Sequence, residues 1–214
     1  MPTKPILWAL FSDVAQRIIT LNKTEQRTNL RRRVQSLALP ARAKALDFGC
    51  GTALFAPTIR KCGLRYYGYD IDPRLLAYAS RLYPDATFVS TPESLATHAP
   101  FDLIVANCCF HHIDDEALTR ELPKLRDVLA ERGVFLMIDL LLDPHSRSFL
   151  CRQFDRLERG GHVRREAHYR RLVESAFVVE STGVERSHVL SLRGNPIFSD
   201  LVVFECRKRA AIPG

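Results

Sequence analysis

Five short apolar runs, each followed by a stretch of helical character, restrict this chain to few architectures. "KALDFG", "LRYYGYD", "ATFVS", "FDLIVAN" and "GVFLMIDLLL" are nearly continuous in apolar residues. Strands covered by helices on both faces have this character, because neither side of the pleat meets water. Between the runs, Thr52–Cys62, Pro73–Tyr83 and Asp114–Glu131 are long enough to be helices. Strand alternating with helix predicts a parallel sheet with helices on both faces. Inside such runs periodicity is silent, so the strand assignments rest on length and flanking residues.

The flanks follow a different rhythm. Ile6, Leu7, Leu10, Phe11, Val14, Ile18 and Leu21 recur at steps of three and four residues, which predicts an amphipathic helix. A second helix is expected from Thr24 to Leu39, stopped by Pro40, so residues 1–40 form an N-terminal helical cap. After the fifth run, Ser146–Glu158 and Arg165–Phe177 are expected as helices separated by Gly160 and Gly161. "FVVESTGVERSHVL" and "IFSDLVVFECRK" then form a hairpin-like pair that closes the sheet. The main domain is expected over 41–209, with 210–214 as a loose tail.

At 214 residues and 46% hydrophobic, the chain can bury a core without disulfides or a structural metal. Cys50, Cys62, Cys108, Cys109, Cys151 and Cys206 form no C-x-x-C pair and are expected as reduced thiols of a cytoplasmic protein. A zinc site from Cys108 or Cys109 with His111 and His112 lacks the spacing of closed sites. "MPTKPILWALF" is too short in apolar residues for a membrane span. The net charge of +7 permits a nucleic acid, an acidic small molecule or an anionic surface as partner without selecting one.

"ALDFGCGTALF" carries the chemistry. In an open α/β sheet, ligands bind beyond the carboxyl ends of the strands. Gly49 and Gly51 permit a tight turn and close approach of a ligand. A dinucleotide turn wants a third glycine, and Leu54 stands there. Asp47, two residues before Gly49, would repel a pyrophosphate but suits an amino-acid ammonium. Asp70, at the end of the second run, is placed to accept the hydroxyls of a ribose. Asp72 precedes Pro73 and reads as a helix N-cap. A ligand with a cationic amino-acid end and a ribose is S-adenosyl-L-methionine.

"LDFGCGTA", "YGYDIDPRLL", "FDLIVANCCFHHIDD" and "LRDVLAERGVFLMID", in that order, resemble the successive motifs of class I S-adenosylmethionine-dependent methyltransferases over roughly Lys44 to Asp139. The resemblance implies a Rossmann-like, doubly wound sheet of seven strands with the last antiparallel. It implies that Asp47, Gly49, Cys50 and Gly51 surround the methionine part, that Asp70 and Ile71 hold the ribose end, and that Thr91 lies near the adenine. Thr91 departs from the family's usual aspartate, and Ala53 from another glycine. Pro57 is expected to kink the first helix.

The end of the fourth run should face the transferred methyl. Asn107 is a candidate contact there, and His111 and His112 are candidate bases, with His145 a further one. Residues 23–33 and 147–171 are rich in arginine, which suits carboxylate or phosphate groups. The expected function is methyl transfer to a small-molecule acceptor, acidic or oxygen-rich. An RNA acceptor and a non-catalytic cofactor-binding protein are the alternatives.

Overall fold

The computed structural model describes residues 24–142, 161–192 and 195–209. Its seven strands are β1 (Lys44–Phe48), β2 (Arg65–Tyr69), β3 (Thr87–Val89), β4 (Phe101–Asn107), β5 (Leu129–Leu140), β6 (Phe177–Leu192) and β7 (Asn195–Lys208). They form one sheet in the order β3-β2-β1-β4-β5-β7-β6. The first five are parallel to one another. β7 inserts antiparallel between β5 and β6, as the hairpin-like close of the sequence implied. The strand order reverses at β1 and β4, which opens a crevice where the chains leaving these two strands diverge.

The helices are α1 (Thr24–Ser36), α2 (Ala56–Lys61), α3 (Pro73–Leu82), α4 (Pro92–Ala96), α5 (Asp115–Val128) and α6 (Glu166–Glu174). Most are shorter than the sequence implied. α2 begins at Ala56, so Pro57 starts the helix instead of kinking it: a proline in the first turn removes no hydrogen bond. α5 gives way to strand at Leu129, whose extended backbone ends the helix before Glu131. The helices expected at 6–21 and 146–158, and the tail at 210–214, lie outside the described residues.

Two apolar clusters, one per sheet face, explain the unbroken runs. Along β4, Ile104 and Ala106 join Phe48, Phe135 and Phe204 on one face. Leu103 and Val105 join Ala45, Leu136 and Val203 on the other, where Leu30 and Val34 of α1 also pack. The alternation of side chains is present, but both halves of it are apolar. Phe204 is fully buried at the centre of β7. Phe204→Ala should lower unfolding stability by about 3–5 kcal/mol in a denaturant titration, whereas Val184→Ala, at a position 56% exposed, should change it little.

Candidate active site

The glycine turn joins three strands. Gly49 and Gly51 have φ of 71° and 54°, the left-handed region that L side chains avoid. A Cβ on Gly49 would stand 2.6 Å from the Cys109 Cβ, so the chain leaving β1 presses against the chain leaving β4 and no side chain fits between. Beside Gly51, by contrast, a Cβ would meet nothing within 4 Å, and the backbone there is open to a ligand. The N–H groups of Gly49 and Cys50 both donate to the Tyr69 carbonyl, at 2.8 and 3.0 Å. Ala53 also adopts a left-handed φ, of 59°, so alanine in place of the family's glycine carries a conformational cost there.

Asp70 is bound into this turn. Its Oδ2 accepts from Gly51 N at 2.8 Å and its Oδ1 from Asp72 N at 2.9 Å. Each oxygen keeps a second acceptor direction. Ile71 beside it is 80% exposed, an unusual position for an aliphatic side chain. Asp72 caps α3 by accepting from Arg74 N and pairs with the Arg74 guanidinium. Those hydrogen bonds hold its carboxyl down at about 2. Asp72 is thus the helix N-cap, as the sequence pattern indicated, while Asp70 is bound into the turn.

Asp47 is buried, and its Oδ2 accepts from the Tyr66 hydroxyl at 2.8 Å. Burial pushes its carboxyl up to about 7; the Tyr66 hydrogen bond opposes the rise and the charge of Asp70 adds to it. Burial, with the negative charges of Asp47 and Asp70, also raises the Cys50 thiol. Burial and the charges of Asp139 and Asp47 raise Cys109. Both remain protonated thiols and are poor nucleophiles.

At the end of β4, Asn107 is buried and its Oδ1 has no hydrogen-bond partner. A single 3-10 turn, Phe110–His112, follows. His111 is buried with its Nδ1 2.5 Å from Asp139 Oδ1, while its Nε2 has no partner. Asp139, fully buried at the end of β5, also accepts from the backbone N–H groups of Phe110, His111 and Leu140. A buried carboxylate with this many donors is compensated as a charge. His112 is exposed, its ring centroid 4.0 Å from that of His111. His145 lies outside the described residues.

A buried guanidinium braces the 3-10 turn. Arg164 donates to the carbonyls of Phe110, His162 and Ile113 and to the Asp115 carboxylate. His162 N donates to the His111 carbonyl, and His168 pairs with Asp115. Desolvation works to raise the Asp115 carboxyl, but the hydrogen bonds from Arg164 and His168 outweigh it and hold that group below the usual range.

Sequence reasoning missed Tyr66, Asp139 and Arg164. Asp139 did leave a signal, as the lone acid inside the apolar run "FLMIDLLL"; Arg164 lay in the arginine-rich segment 147–171 but was read toward a substrate, and Tyr66 left none. The Thr91 hydroxyl is engaged in a capping box with Ser94 at the start of α4. Three of the arginines expected to meet an acidic substrate pair internally instead. Arg33 binds Glu185, Arg164 binds Asp115, and Arg170 binds Glu166 and Glu174.

These groups fit a ligand with an ammonium and a ribose: a dry carboxylate, a second carboxylate with acceptor capacity left, an open backbone at Gly51 and an unsatisfied amide oxygen at Asn107. The Asp47 site also has a signature in stability. Its carboxyl titrates near 3.8 in the unfolded chain and near 7 in the folded one. Ionisation therefore opposes folding increasingly as pH rises from about 4 to 7, and fully above that. Asp47→Asn should raise the melting temperature more at pH 8 than at pH 5, which thermal unfolding at the two pH values checks.

Residues 22–181 match the family described as "Methyltransferase domain". An uncharacterized methyltransferase of Synechocystis is 28% identical over 141 residues, covering 64% of this chain and 63% of the relative, so the match spans less than two thirds of that protein. Magnesium protoporphyrin IX methyltransferase of Synechocystis, solved with bound SAH, superimposes with a TM-score of 0.65 at 15% identity, covering 97% of this chain and 90% of that one. A TehB-like SAM-dependent methyltransferase from Corynebacterium glutamicum gives 0.57 at 18% identity, covering 89% and 98%. These two structures share the Rossmann-like fold, and the family match spans more than half of the chain: this protein belongs to the methyltransferase-domain family.

Proposed function

We propose that this chain transfers the methyl group of S-adenosyl-L-methionine to a small-molecule acceptor. The observation that carries the reading is the pair of carboxylates around the open glycine turn, with Gly51 N–H fixed on Asp70. Asp47 receives the amino-acid ammonium, the backbone of Gly49, Cys50 and Gly51 lines the methionine part, and Asp70 accepts the ribose hydroxyls. Ile71, exposed beside Asp70, covers the nucleoside, and the Asn107 amide oxygen takes a donor of the ligand. The Thr91 hydroxyl is committed to Ser94, so the adenine contact falls to backbone groups next to it. The relatives solved with SAH or named as acting on small molecules support this reading, among them mitomycin 7-O-methyltransferase.

When bound, the sulfonium supplies an electrophilic methyl and a neutral thioether leaving group. The chain's own task is to orient the acceptor and take its proton. Asp139 holds His111 through Nδ1, which fixes the tautomer with the proton on Nδ1 and the lone pair on Nε2. Nε2 then accepts the proton of an acceptor hydroxyl or ammonium, a contribution of roughly 10²–10⁴-fold. His112, exposed next to it, contacts the acceptor from the open side; His145, outside the described residues, stays a further candidate base.

Titration of S-adenosylhomocysteine by calorimetry should show micromolar binding, weakened at least tenfold by Asp70→Ala, about 1.4 kcal/mol. With an acceptor found by screening for methyl transfer, His111→Ala should lower turnover by about 10²–10⁴-fold while leaving S-adenosylhomocysteine affinity nearly unchanged. Absence of binding in the native protein would remove the cofactor assignment.

A further inference from the structure

Asp47 and Asp70 flank the same turn but live under different rules. Asp70 holds two backbone N–H donors on its two oxygens. Asp47 lies deeper, is 2% exposed, and accepts a hydrogen bond from the hydroxyl of Tyr66 on β2. The groups that face Asp47 are Tyr66 from β2, Asp70 just after it, Cys50 from the turn and Cys109 from the chain leaving β4. Tyr66 and both thiols are neutral, and Asp70 is an anion that repels a second negative charge nearby. No cationic side chain among the described residues figures in the field at Asp47. A carboxylate so placed lacks the compensation that Asp139 receives from its four donors.

We propose that Asp47 and Tyr66 form a proton-linked latch for the cofactor, in which Asp47 releases its proton to solvent as the ligand's ammonium arrives and the Tyr66 hydroxyl decides how readily it does so. The inference rests on the cofactor reading above, which puts the ammonium beside Asp47. In the free protein the carboxyl is an acid in a dry site. The incoming ammonium is the countercharge that the site lacks, so the bound state holds the ion pair. The O–H bond of Asp47 breaks, its electron pair stays on the carboxylate, and the proton leaves for bulk water; Tyr66 keeps its own proton throughout and donates it as a hydrogen bond. Tyr66 is thus a positioning residue that acts through Asp47. A phenolic O–H favours the charged over the neutral carboxyl, because the charged form is the stronger acceptor. This also explains a tyrosine hydroxyl at a β2 position that is otherwise part of the apolar cluster containing Ala45 and Leu103.

The test is calorimetric titration of S-adenosylhomocysteine into the full chain between pH 5.5 and 8, where a free amino acid's ammonium stays charged. Two buffers with different ionisation enthalpies at each pH report the protons exchanged. With the folded carboxyl titrating near 7, affinity should rise about tenfold from pH 6 to pH 8, with close to one proton released per ligand at the low end and none at the high end. Tyr66→Phe should move the whole profile to higher pH, so that affinity falls several-fold at pH 7 and recovers at pH 8. Loss of a merely structural hydroxyl would lower affinity by the same factor at every pH. Asp47→Asn should bind more weakly, with no pH dependence and no proton release. Native binding that is constant from pH 6 to pH 8 would overturn the latch and leave the cofactor reading standing. Absence of binding at every pH would overturn both.

Discussion

A parallel sheet covered on both faces leaves its polar chemistry no place except the strand ends. Every side chain along the middle of β1, β4 and β5 is committed to one of two apolar clusters. A charged group there would need compensation from neighbours that have none to give. The carboxylates therefore collect at or next to the last positions of strands: Asp47 on β1, Asp70 after β2 and Asp139 on β5. The crevice between β1 and β4, where the strand order reverses, is where their fields meet.

The three carboxylates differ in how they are satisfied, and this difference separates their roles. Asp139 is saturated with donors and serves as an anchor: it locks the 3-10 turn and orients the His111 ring. Asp70 is half satisfied, tied to the turn while keeping acceptor capacity. Asp47 is the least satisfied and costs the fold stability whenever it is ionised. A site that is unfavourable when empty and favourable when a cation arrives is a reasonable way to make a binding pocket selective for that cation, and it is the kind of local cost that functional sites carry.

The second half of the chain supports the first at one point. Arg164 lies beyond the part of the chain that resembles known cofactor motifs, yet its guanidinium holds the carbonyls at both ends of the 3-10 turn that carries His111. The Val163–Arg164 backbone runs beside the end of β5, where Leu142 N donates to the Arg164 carbonyl. Any movement of this segment is thus transmitted to the ring proposed to take the acceptor's proton.

The sequence by itself determined the sheet, the glycine turn and the capping role of Asp72. These depend on local patterns: continuous apolar runs of strand length, glycines that alone accept left-handed dihedrals, and an aspartate followed by proline at a helix start. Helix limits were legible only roughly, since a proline such as Pro57 can start a helix or kink it, and Leu129 leaves the helix to pair with Phe101 in the sheet. The arginine-rich segments pointed to an acidic substrate, whereas Arg33, Arg164 and Arg170 are paired by acids distant along the chain or a turn away. Only the tertiary structure decided that Tyr66 meets Asp47, that Asp139 meets His111 and that Arg164 braces the turn between them. Those partners lie 19, 28 and 54 residues apart. A hydrogen bond depends on distance and direction in space, and no periodicity in the sequence encodes either across such separations.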